Sequence, residues 1–99
     1  MPQRTREMQP NSENQVSRIE TIANRDGLHA RLAGDIVRSV SRFSAVVVLE
    51  ANGRRASATS ILQLLALGAS GGTRVQISAS GAQASEAVSE VAELLAELG

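Results

Sequence analysis

The chain has 99 residues and no net charge, with ten arginines, no lysine and ten acidic side chains. That balance excludes a general electrostatic pull toward nucleic acid or an anionic membrane. Phe43 is the only aromatic residue, so no stacking platform for bases exists. The absence of cysteine removes disulfides, thiolate metal sites and a thiol nucleophile. The length fits one domain. No apolar run approaches the ~20 residues needed to span a bilayer, and the N-terminus lacks the pattern of a signal peptide.

Residues 1–15 hold both prolines and almost nothing apolar, which reads as a disordered extension; the domain is expected over 16–99. Val16 to Ala23 reads as a first strand, although Ile19 and Ile22 are out of phase. Asn24 to Gly27 is a loop. A helix is expected from about Ala30 to Arg42, because Ala33, Ile36, Val37, Val40 and Phe43 share one face. Val46 to Ala51 is a β-branched run and reads as a strand. Asn52-Gly53 tolerates positive φ at both positions and predicts a hairpin to Arg54–Ala58. Ser60 is a natural N-cap for a short helix, Ile61 to Leu67, with Gly68 at C′. Thr73 to Ser80 alternates, with Val75, Ile77 and Ala79 on one face and polar residues on the other. Ala84, Val88, Val91, Leu95 and Leu98 mark a last helix whose glutamates turn mostly to water. The order β-α-β-β-α-β-α with one wet sheet face predicts a two-layer α+β domain.

The stretch Gly27-Leu28-His29-Ala30-Arg31 carries the most chemical information. His29 is the only histidine. It stands after a glycine turn and before a helix, with an arginine two residues on. An imidazole nitrogen is a competent nucleophile near neutral pH. Helix-start N–H groups suit phosphate oxygens, and the charge of Arg31 persists at physiological pH. Phosphoryl transfer needs mainly positioning and charge stabilisation. Read without context, the same His-x-Arg is also an ordinary surface pair.

These residues, together with Asn52-Gly53-Arg54-Arg55-Ala56-Ser57-Ala58-Thr59-Ser60-Ile61-Leu62, Leu67-Gly68 and Ile77-Ser78-Ala79-Ser80-Gly81, resemble the HPr family. That family comprises the histidine-containing phosphocarriers of the bacterial phosphoenolpyruvate-dependent phosphotransferase system. The likeness runs from about Val16 to Leu98. It implies an open-faced sandwich, a four-stranded antiparallel sheet with three helices on one face (βαββαβα). It implies that His29 takes a phosphoryl group from Enzyme I on Nδ1 and passes it to enzyme IIA domains, with Gly27, Ala30 and Arg31 forming the phosphate site. It also implies that Ser60 is the position modified by a regulatory kinase, an HPr kinase/phosphorylase, in some members. The protein would be a cytoplasmic monomer, a carrier and not an enzyme, with no cofactor of its own.

The second helix is apolar almost all round. Leu64 and Leu67 are expected in the core, leaving Ile61, Leu62 and Leu65 outside as a docking patch. Core packing or a homodimer seam would account for the same residues. Arg38, two turns beyond Arg31, is either a docking residue or a solvated helix charge. Two features depart from the family pattern. Leu32 stands where proline is common, and it is expected to restore an N–H donor and loosen the turn. Asp26 puts a carboxylate three residues before His29. Two rival readings remain: a regulatory paralogue of a nitrogen-related or dihydroxyacetone kinase branch acting through partner binding or Ser60 phosphorylation, and a generic ligand-binding or dimerisation module.

Overall fold

The computed structural model describes residues 15–98. The extension expected over 1–15 lies outside the described residues, apart from Gln15. Seven elements follow in chain order: β1 (Val16–Thr21), α1 (Ala30–Val40), β2 (Val46–Ala51), β3 (Arg54–Ser57), α2 (Ile61–Ala66), β4 (Arg74–Ser80) and α3 (Ala84–Ala96). The strands form one antiparallel sheet in the order β1-β4-β2-β3, with the three helices on one face. The expected α+β architecture is therefore the observed one.

The hydrophobic pattern explains the layering. Val75, Ile77 and Ala79 on β4 are buried, as are Val47 and Leu49 on β2, with Ala56 beside Leu49 on β3. These face Ile36 of α1, Leu64 of α2, and Val91 and Leu95 of α3 across the core. The opposite face carries Arg74, Gln76 and Ser78, and β1 buries none of its six residues deeply. That explains the broken alternation of the first strand. Ile19 pairs with Gln76 on the wet face, while Ile22 lies past the end of β1 and is buried. Ile22 remains tied to the sheet end, its N–H donating to Thr73 O at 2.9 Å.

The hairpin forms as its residues demand. Asn52 (φ 55°) and Gly53 (φ 75°) connect Ala51 to Arg54, which pair directly. Asn52 and Arg54 then reach across to α2. Asn52 Nδ2 donates to Leu67 O and Gly68 O, and Arg54 Nη1 donates to Ala66 O at 2.8 Å. They satisfy carbonyls that a helix end leaves open, and so pin the C-terminus of α2 to the hairpin. At its other end Ser60 Oγ accepts from Gln63 N–H at 3.2 Å, while Gln63 Oε1 accepts from Ser57 N–H at 2.8 Å. This is a reciprocal cap that reaches one turn further back than a capping box.

Two boundary expectations are corrected. The first helix ends at Val40 and not at Arg42, with Ser41 as C-cap; Phe43 lies in the following turn, its N–H donating to Val40 O. Leu98 does not belong to the core face of the last helix. The helix ends at Ala96, Glu97 is extended (ψ 139°), and Leu98 is 83% exposed. Glu90 is also more engaged than expected, since its Oε1 accepts from Ser39 Oγ at 3.1 Å and Arg42 Nη2 at 2.9 Å. That contact joins α3 to the C-terminal end of α1. Among the described residues no helix is long and apolar enough to cross a membrane.

Candidate phosphate site

Two loops interlock to place His29. Gly27 adopts φ +70°, and a Cβ there would stand 2.4 Å from Ala69 O and 2.7 Å from Ser70 Cα. Only glycine meets both demands. From the other side Gly71 packs against the first loop, where a Cβ would stand 2.7 Å from Asn24 O and 2.8 Å from Arg25 Cα. Leu28 N–H donates to Ala69 O at 2.9 Å, and the Leu28 side chain is buried. The histidine loop is thus fixed by the loop that follows α2. This is the physical reason that two sequence blocks far apart in the chain belong to one site.

His29 is the N-cap of α1, with extended backbone (φ −87°, ψ 176°). Its Nδ1 accepts from Leu32 N–H at 3.4 Å, and Ala33 N–H donates to His29 O at 2.9 Å. The ring is half-buried. Its Nδ1 edge therefore faces the first turn of α1. Ala30 and Arg31 are the first two residues of that turn, exposed, and their amides have no intrahelical acceptor. Arg31 makes no ion pair among the described residues. First-turn amides at a ring nitrogen, with an exposed arginine lining the same hollow, suit a phosphoryl group.

The expectation for Leu32 is corrected. Its N–H does not loosen the turn but closes it, because His29 Nδ1 takes that hydrogen as a cap. Its side chain is buried in the core. Asp26 is exposed and makes no ion pair among the described residues; its N–H is held by Asn24 Oδ1 at 2.8 Å. Arg38 lies further along α1, paired with Asp35, so its charge is partly neutralised on its own helix. Ser60 is placed as expected, its hydroxyl occupied as a helix cap.

The split of α2 into two faces is also observed. Leu64 and Leu67 are buried, whereas Ile61 (41% exposed), Leu62 (80%) and Leu65 (36%) remain outside. α2 packs beside α1. One residue escaped the sequence reading. Asn24 looked like ordinary loop, yet its Nδ2 stands 3.3 Å from His29 Nε2. The available signal was an asparagine opening a short turn, since Asn side chains bond the backbone two residues on. The contact back to the histidine follows only once that turn is closed.

Comparison with known proteins identifies the family. Residues 16–97 match the family model of the phosphotransferase-system HPr component phosphorylation site. The phosphocarrier protein HPr of Vibrio cholerae is 42% identical over 77 residues, covering 78% of this chain and 91% of its own. A multiphosphoryl transfer protein of Haemophilus influenzae is 32% identical over 85 residues, and there the match covers 83% of this chain and 17% of the relative. Among solved structures, HPr from Bacillus anthracis superposes with a TM-score of 0.78 at 28% identity, covering 82% of this chain and 96% of that one. The HPr from Thermoanaerobacter tengcongensis gives 0.76 at 34% identity, with coverage of 81% and 90%. A histidine capping a helix, presented by an interlocked pair of loops on this sheet, and a family match spanning nearly all of the described fold lead to one assignment: the chain belongs to the HPr family of phosphotransferase-system phosphocarriers.

Proposed function

We propose that Nδ1 of His29 accepts a phosphoryl group from phosphorylated Enzyme I and passes it to enzyme IIA domains. The observation that carries this reading is the orientation of the ring, whose Nδ1 edge meets the first turn of α1. In the accepting ring Nε2 bears the proton and the Nδ1 lone pair attacks phosphorus. The bond from phosphorus to the donor breaks, and the Nε2 proton leaves to solvent. The amides of Ala30 and Arg31 and the Arg31 guanidinium take the phosphoryl oxygens. Transfer onward reverses these steps. The chain is then a substrate of its partner enzymes and not a catalyst, working as a cytoplasmic monomer.

The exposed Ile61, Leu62 and Leu65 serve as the docking patch, and Arg38 on α1 serves for acidic partner surfaces. Leu62 is the most exposed of the three apolar residues, so Leu62→Asp leaves folding within about 0.5 kcal/mol of the parent. Docking with Enzyme I weakens about tenfold, read as a raised KM with little change in maximal rate. An unchanged KM would remove Leu62 from the interface. Phosphorylation of Ser60 by a kinase would place charge at the start of this same helix, beside that patch.

Incubation with Enzyme I, Mg²⁺ and labelled phosphoenolpyruvate tests the reading. The expected product is an acid-labile, alkali-stable phosphate on His29. A folded chain that stays unlabelled with an active cognate Enzyme I overturns it. The same assay tests Leu32. Leu32→Pro removes the N–H that occupies Nδ1, and proline is tolerated in a first helical turn. Labelling becomes equal or faster, while loss of the buried leucine and of the cap lowers stability by about 2 kcal/mol. A collapse in rate on a folded protein would show that the Leu32 amide itself assists transfer.

A further inference from the structure

The His29 ring stands between two N–H donors. On one edge Leu32 N–H meets Nδ1 at 3.4 Å; on the other Asn24 Nδ2 meets Nε2 at 3.3 Å. The orientation of the asparagine amide is set independently of the histidine, because its Oδ1 accepts Asp26 N–H at 2.8 Å. With the oxygen held there, the amide presents its NH₂ end to the ring. A neutral imidazole has one lone-pair nitrogen and one N–H. The resting ring therefore satisfies one of its two neighbours and opposes the other. A phosphoryl group on Nδ1 resolves the conflict. It takes up the Nδ1 lone pair, the Leu32 N–H loses that acceptor, and an unprotonated Nε2 remains to accept from Asn24.

We propose that Asn24 is a positioning residue that keeps Nε2 of the phosphorylated ring unprotonated and thereby slows loss of the phosphoryl group to water. This rests on the reading of His29 as the acceptor. In hydrolysis the water oxygen bonds to phosphorus, the phosphorus–Nδ1 bond breaks, and its electron pair returns to the ring. With a proton on Nε2 the ring leaves as neutral imidazole. Without one it must leave as imidazolate, a far poorer leaving group. The Asn24 hydrogen bond has to be given up before Nε2 takes that proton from solvent.

Other charges from each neighbouring element line the same hollow as the ring. They are Arg25 and Asp26 in the loop, Arg31 and Asp35 from α1, and Glu97 past the end of α3. Both signs are present, and Asp35 is engaged by Arg38. Among the described residues Asn24 is the hydrogen-bond partner of Nε2.

Two variants separate the amide from the turn. Asn24→Asp keeps an oxygen for Asp26 N–H but offers the ring an acceptor in place of a donor. Asn24→Ala loses both. The phosphorylated proteins are followed for release of inorganic phosphate across pH 5–9 in roughly unit steps. Release accelerates about fivefold in the alanine variant and more in the aspartate variant, and the accelerated limb extends to higher pH. In the phosphorylated proteins the ¹⁵N signal of Nε2 moves to that of a protonated nitrogen at a higher pH in Asn24→Asp than in the parent. Acceleration in the alanine variant alone assigns the effect to the turn and overturns the proposal, as do unchanged release and an unmoved Nε2 signal. If the parent chain takes no label from Enzyme I, the carrier reading fails by itself; the ring is then phosphorylated chemically with phosphoramidate, and the Nε2 signal still decides the Asn24 contact.

Discussion

Replacing His29 with Ala abolishes phosphoryl acceptance outright, while the fold persists. The chain offers no second imidazole and no thiol, so no neighbouring nucleophile of comparable strength replaces it. The structural penalty is limited to the helix cap. His29 contributes a side-chain acceptor for Leu32 N–H at the start of α1, and loss of an N-cap lowers stability by about 1 kcal/mol. The predicted signature is thus a large functional loss with a small one in stability. Denaturant unfolding and labelling from phosphoenolpyruvate, run on the same preparation, check it. Label retained on the alanine variant with the acid lability of a phosphoramidate would refute the assignment.

Gly27→Ala has the opposite character, because it strikes fold and site together. At φ +70° an alanine carries backbone strain, and its Cβ would press into the Ala69 carbonyl and Ser70. The loops must part, and with them the Leu28 N–H bond to Ala69 O. We expect a stability loss of about 3 kcal/mol. A displacement of His29 by even ~1 Å is enough to slow transfer about a hundredfold. Gly68→Ala is the comparison. Gly68 also has positive φ (63°), but a Cβ there meets open space. It therefore carries the strain without the collision, and its transfer rate should stay near that of the parent. Equal losses at 27 and 68 would show that the loops yield easily and that interlocking matters little.

Much of this was legible from residue order, for local reasons. Asn52-Gly53 announces its turn because two adjacent residues tolerate positive φ. The alternation of Arg74–Ser80 announces a half-buried strand because side chains on a strand have a period of two. Ser60 could be read as a cap because its partner lies three residues away. The sequence also separates Leu64 and Leu67 from Ile61, Leu62 and Leu65, since one short helix on one sheet face has only one side to bury. What escaped depends on contacts that no local pattern encodes. Leu32 read as a departure at a position where proline is common, because the destination of its N–H depends on the ring of His29. Asn24 depends on two successive hydrogen bonds, one of which exists only after the loop has turned. Leu98 fitted the helical period well, but Glu97 leaves the helix before that period reaches it.

The strand order has a consequence for the life of the chain on the ribosome. Among the described residues β1 pairs with β4 and with no other strand, and β4 is nearly the last element made. The loop that locks Gly27, and hence orients His29, also precedes β4 directly. A nascent chain therefore emerges with its histidine early and its phosphate site late. Contacts this distant in sequence close slowly and must wait for synthesis to finish. The setting of the His29 loop is thus a property of the nearly complete chain, since both the Ala69 carbonyl that holds Leu28 and the strand that pairs with β1 come late in it.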